Sequence, residues 1–176
     1  MIKKHLFVLV VFMICAAFTI PERVSKKADK VIAKFYETDD FTKEIISISE
    51  AANAETIAEF NDENFFKIES AGVFLGYGYI GAARSKTDMF DFLVLFDKDF
   101  IITKSKVLIY REEYGGEIGS KRWLKQFVGK SSTSSELIYN QNIIPISGAT
   151  ISVRSMTQAM NDLLQSVGKL QELNLL

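Results

Sequence analysis

Apolar residues recur every three or four positions at Val24, Ala28, Val31, Ile32 and Phe35, with Lys26, Lys27, Asp29, Lys30 and Lys34 between them. That spacing predicts an amphipathic helix just after Pro21, with the lysines on its solvated face. Residues 41–48 read as a short strand and 54–60 as a short helix. From Asn64 the period shortens. Residues 65–68, 73–80, 89–96 and 100–110 are runs rich in Phe, Val, Ile and Tyr separated by turn residues, the pattern of an antiparallel meander. Asp97, Lys98 and Asp99 can join only a hairpin, because a parallel crossover needs about a dozen residues or more. Ser120 then caps a helix over 121–128 with Trp123, Leu124 and Phe127 as its apolar stripe and Gly129 as its stop. Residues 136–139 add one more strand. Met156, Ala159, Met160, Leu163, Leu164, Val167 and Leu170 close the chain with a second 3.6-residue pattern, with Gln158, Asn161, Asp162 and Gln165 on the opposite face. The expected architecture is α+β, an antiparallel β-sheet with packed helices.

The 176 residues can bury one core, and 48% of them are hydrophobic. Three segments are expected: 1–20 as a signal peptide or membrane anchor, 21–62 as a helical N-terminal part, and 63–176 as the main domain. The first segment places Lys3 and Lys4 before an apolar run from Leu6 to Ile20, with small residues at Cys15, Ala16 and Ala17. That run is short of the about 20 residues a spanning helix needs, so both a cleaved export signal and an anchor fit it. Either places the protein outside the cytoplasm, periplasmic or held on the outer face of the membrane.

Net charge is −1, and removing the first seventeen residues takes away two lysines and no acid, leaving −3. A slightly acidic body offers no electrostatic footprint for nucleic acid. Cys15 and His5 are the only residues of their types. If cleavage follows Ala17, the exported chain has no thiolate, no imidazole base and no His/Cys metal site, and no catalytic residue or metal ligand is expected.

Chemistry concentrates at Ser147-Gly148-Ala149-Thr150-Ile151-Ser152. Gly148 and Ala149 let a bulky ligand lie against the backbone, and glycine permits a turn with φ > 0. Ser147, Thr150, Ser152 and Ser155 put four hydroxyls within nine residues, and Ser152 reads as N-cap of the closing helix. Thr150 then sits where helix amides and the positive dipole end stabilise a phosphate. Two other segments stand out. Gly76-Tyr77-Gly78-Tyr79-Ile80-Gly81 alternates small and aromatic residues, placing glycines on one strand face and Tyr77 and Tyr79 on the other. It reads equally as a packed strand or a ligand contact. Glu112-Glu113-Tyr114-Gly115-Gly116 follows a strand; its adjacent acids point to opposite faces and read as a solvated pair. Trp123 reads as core, and the serine cluster 131–135 as a loop.

At Ser147 to Ser152 the chain resembles the FMN-binding domain family, in which the last threonine of a Ser/Thr-Gly-Ala-Thr motif carries FMN through a phosphoester bond. The flavin-carrying subunits of the Rnf complex and of the sodium-pumping NADH:quinone oxidoreductase are the best-known members. The resemblance extends weakly to the Gly-Tyr-Gly segment. It extends in order and spacing to Glu113, Tyr114, Gly115, Gly116 and Gly119, where the family typically reads Glu-Thr-Pro-Gly-Leu-Gly. One position departs: the family usually has an aspartate three residues before the motif, used by a flavin transferase, and this chain has Ile144.

The resemblance implies FMN as cofactor, linked to or contacting Thr150. Ser147, Gly148, Ala149 and Ser152 would shape the phosphate loop, with Glu113, Tyr114, Gly115 and Gly116 flanking the ring. It implies an exported electron carrier served by a flavin transferase and by redox partner proteins of the membrane or envelope. A periplasmic scaffold or ligand-binding module of the same fold, and a small flavin-dependent reductase, are the competing readings.

Overall fold

The computed structural model describes residues 20–176; the expected signal or anchor lies almost wholly outside them. Five strands, β1 (Thr42–Ile45), β2 (Phe65–Ser70), β3 (Val73–Arg84), β4 (Met89–Phe96) and β5 (Ile102–Ile109), form one sheet in the order β1-β2-β3-β4-β5. Every neighbouring pair is antiparallel, the expected meander. The boundary drawn after residue 62 falls between β1 and β2, within this sheet.

The sheet separates two helical layers. Helix α1 (Glu22–Tyr36) buries Val24, Ala28 and Ile32 on one face, against Phe66, Ile68, Ile80, Leu93 and Leu95. The opposite face is aromatic: Phe65, Tyr79, Phe90, Phe92 and Phe96 pack beneath the 23-residue helix α4 (Thr150–Glu172), which buries Met156, Met160, Leu163 and Val167 there. Strand β4 has the unbroken apolar run Phe92-Leu93-Val94-Leu95-Phe96 because it is covered on both sides: Phe92, Val94 and Phe96 face α4, and Leu93 and Leu95 face α1. Each fully buried phenylalanine or leucine of this run contributes about 1.5–3 kcal/mol.

Several local expectations are corrected. The hairpin after β4 is longer than three residues. Asp97 Oδ1 accepts from the N–H groups of Asp99 and Ile101, both at 2.9 Å, and Phe100 takes a left-handed φ of 56°, so β5 starts only at Ile102. The helix expected over 54–60 lies one turn earlier, as α2 (Glu50–Asn53) capped by Ser49, whose Oγ accepts from Ala52 N–H. Residues 54–60 instead wrap around Asn53, whose side chain accepts from Phe60 N–H and donates to Phe60 C=O. Ser120 caps helix α3 (Lys121–Leu124), which continues as a 3₁₀ turn through Phe127.

The strand expected over 136–139 is also absent. Both backbone groups of Leu137 pair with Asn161 of α4: Leu137 N–H donates to Oδ1 at 2.9 Å and Leu137 C=O accepts from Nδ2 at 2.8 Å. Asn161, expected on the polar face, is therefore buried. A short amide side chain supplies the pairing that a neighbouring strand would have given.

Candidate functional site

The chain reaches α4 through a tight turn in which Ala149 N–H donates to Ile146 C=O at 3.2 Å, with Gly148 at φ 76°. That left-handed third position is the reason for glycine here. No atom lies within 4 Å of where a Gly148 Cβ would stand, so the turn faces open space. Ala149 is the N-cap residue and is buried, whereas Ser147, Gly148 and Thr150 are exposed. No side chain caps the helix. Its first backbone bond runs from Val153 N–H to Ala149 C=O at 2.9 Å, which leaves the amides ahead of it to solvent or a ligand.

Ser152 is not the N-cap. It is the third residue of α4, buried, and its Oγ lies 3.0 Å from the Tyr110 hydroxyl. Helical geometry turns a side chain at that position back toward the protein, where Tyr110 at the end of β5 meets it. Sequence reading missed Tyr110 because an aromatic at the end of an apolar run gives no sign that its hydroxyl is used.

The glycine loop after β5 arrives at the same place. Gly115 has φ 80°, and a Cβ there would stand 2.6 Å from Ala149 Cβ and 3.1 Å from the Tyr110 hydroxyl. The two separately identified segments thus touch through Gly115 and Ala149. Gly116 opens a 3₁₀ turn (Gly116–Gly119) and is exposed, as is Glu113; Tyr114 is 77% exposed. Gly115, Ala149, Ser152 and Tyr110 form one contact group. Glu113, Tyr114 and Gly116 line the solvent side of the loop.

Glu112 is not a solvated acid. Its carboxylate accepts from Ser85 Oγ at 2.7 Å, from Thr87 N–H at 2.6 Å and from Thr87 Oγ1. These donors, Ser85 first, hold its pKa at about 2. The glycine loop is thereby pinned to the turn between β3 and β4. Ser155 of α4 donates to Arg84 C=O at the start of that turn, so three chain segments meet around the first turns of α4. Ser85 and Thr87 look like ordinary turn residues in sequence, and only the fold shows their partner.

Behind the motif, Trp123 is buried and its Nε1–H donates to Ile144 C=O at 2.8 Å, while Ile144 N–H donates to Gln126 Oε1 at 2.7 Å. Trp123 is core, as its place on the apolar stripe predicts. The Ile144 backbone is fixed on both sides, yet its side chain is 64% exposed, so packing does not require isoleucine there.

The Gly-Tyr-Gly segment is taken up by packing. Gly76 and Gly78 face the α1 layer, where Tyr36 and Phe66 fill the space, and Tyr77 and Tyr79 face the other way. Gly81, expected with the other glycines, lies on the tyrosine face against Phe92 and Tyr79 because it is an odd number of residues away.

A flavin phosphate fits the residues present: uncapped amides at the head of a long helix, an open Gly148 turn and an exposed Thr150 hydroxyl. No group of three or more His, Cys, Asp or Glu residues placed to hold a metal occurs among the described residues. Among those residues no helix is long and apolar enough to cross a membrane. Residues 86–165 match the family model of the FMN-binding domain, a span that runs from the turn after β3 into α4 and contains Gly115, Gly116 and the whole of 147–152. It leaves α1, β1, β2 and β3 outside. No curated protein matches the chain.

Proposed function

We propose that the protein is an exported electron carrier whose FMN phosphate is esterified to Thr150, with residues 86–165, which match the family model of the FMN-binding domain, holding the cofactor. The observation that carries this reading is an exposed threonine at the first position of a 23-residue helix that no side chain caps. With a flavin phosphoanhydride as donor, Thr150 Oγ1 would supply the oxygen of the new phosphoester as the P–O–P bond broke; the other phosphate would leave and the hydroxyl proton would pass to a base on the flavin transferase, with nothing oxidised or reduced.

The helix end contributes about 0.3–1 kcal/mol to holding a phosphate, up to about 2 if partly buried, so an ester or ring contacts must supply the rest. Ser147, Gly148, Ala149 and Ser152 shape the phosphate loop, Ser152 through its bond to Tyr110. Glu113, Tyr114, Gly115 and Gly116 flank the ring. Bound FMN supplies the redox chemistry, and the chain orients it and shields one side from water. Electrons come from and go to redox partner proteins of the envelope.

The test is an intact mass after denaturation, for protein coexpressed with a flavin transferase, beside Thr150→Val. A gain of one FMN that the variant loses is expected. Yellow native protein without the gain would overturn the ester, and colourless protein in both cases would sink the carrier reading. Ile144→Asp should raise the yield of attachment; at so exposed a side chain the change costs the fold no more than about 0.5 kcal/mol. Export is checked by recovering the flavin-bearing mass from the envelope fraction, outside the cytoplasm.

A further inference from the structure

Between α1, the end strand β5 and the α3 region lies a groove of about 670 Å³. Its apolar surface comes from Val31 and Phe35 of α1 and from Leu124 and Val128. Six lysines surround that surface: Lys30, Lys34, Lys104, Lys106, Lys121 and Lys125. No carboxylate lines the groove, and none of the six forms an ion pair among the described residues.

This is more than a lysine-rich helix surface. The six lysines come from three separate parts of the fold and line one concavity. Lys104 Nζ sits 5.7 Å from the centre of the Phe35 ring, and Lys106 Nζ donates to Gly119 C=O at 3.4 Å. Burial, and then Lys121, Lys106 and Lys34, hold the Lys104 ammonium below its ordinary pKa. Like charges gathered over apolar surface repel one another, and a bound anion relieves that repulsion.

We propose that this groove binds a small amphipathic anion, one carboxylate or phosphate monoester head on a hydrocarbon body, taken free from solution. The head would pair with Lys34, Lys104 and Lys121, and the body would cover Phe35, Leu124 and Val128. The volume lies within the range of roughly 300–1,000 Å³ typical of small-molecule sites, which favours such a ligand over a docked protein helix. The proposal is independent of the flavin, since none of the groove residues belongs to the Thr150 site.

The probe is dodecanoate, titrated calorimetrically into the purified full chain below its micelle concentration. One dodecanoate per chain is expected. Inorganic phosphate, which lacks the tail, and dodecyltrimethylammonium, which reverses the charge, should each bind at least about tenfold more weakly. The double variant Lys34→Gln/Lys104→Gln should weaken dodecanoate by at least about tenfold, with flavin content per folded molecule unchanged. If that variant does not fold, the surface substitution Val128→Glu carries the same expectation. Equal dodecanoate affinity in wild type and variant overturns the proposal. So does equal affinity for the cationic amphiphile, and so does binding seen only with phosphatidylglycerol vesicles, which would make the groove a membrane contact.

Discussion

Strand β3 and the loops around the head of α4 both depend on glycine, for opposite reasons. At Gly76 a Cβ would stand 2.3 Å from the Tyr36 hydroxyl and 2.4 Å from the Phe96 carbonyl oxygen, and at Gly78 it would stand 2.4 Å from the Phe66 ring. These glycines are needed because neighbours already occupy the space. Gly148 has nothing within 4 Å and is needed for its φ of 76°. Gly115 combines both demands, with φ 80° and Ala149 against it. A glycine-rich run therefore does not in itself mark a ligand site. Nor does a left-handed glycine with an empty outer side, since Gly72 and Gly129 share both features; Gly148 differs in that its turn leads straight into the uncapped head of α4.

Substitutions can break or sharpen that contrast. Gly76→Ala should have the largest effect, a loss of about 3 kcal/mol in urea unfolding, because the Phe96 backbone cannot move aside. Attached FMN per folded molecule should stay at the wild-type level, and a selective loss of flavin would return this strand to the site. Gly115→Ala should cost about 2 kcal/mol from contact and φ together. It should also lower FMN occupancy, since it pushes on the residue that starts α4; unchanged occupancy would separate the glycine loop from the cofactor.

Gly148→Ala should cost only about 1 kcal/mol, from its positive φ alone. Its FMN attachment should nevertheless fall well below that of Gly76→Ala. Should Gly148→Ala destabilise as much as Gly76→Ala, the contrast between the two regions fails.

The smallest effect concerns acid. Glu112 has a folded-state pKa of about 2 against an ordinary 4.5, so its stabilisation is fully present above about 4.5 and is lost as pH falls through about 2. Wild type should lose more stability than Glu112→Gln across that window, measured by thermal melts at stepped pH. Parallel curves would remove Glu112 as the tie between the glycine loop and the turn after β3.

How far the fold was legible depended on where each residue found its partner. The meander was readable because β4 and its neighbours carry period-two or continuous apolar runs, and such patterns leave few alternatives once the turns are short. The helix at 54–60 and the strand at 136–139 were misread because Asn53 and Asn161 satisfy backbone groups that regular structure would otherwise have paired. Nothing in a single sequence tells which asparagine will do that. In the site, the left-handed Gly148 follows from local sequence, whereas the exposure of Thr150 is set by the fold. Ser152 looked like a cap because serine favours that role, yet Tyr110, forty-two residues earlier, claims its hydroxyl.

By itself, then, the sequence determined what depends on neighbours along the chain: the periods of sheet and helix and the turn at Gly148. The tertiary structure alone decided what depends on distant partners. It set Gly115 against Ala149, tied Glu112 to Ser85, buried Asn161 and gathered six lysines around one groove. The physical reason is that dihedral preference and apolar periodicity are local properties. Hydrogen-bond partners, close approach and electrostatic environment exist only once the chain has folded back on itself.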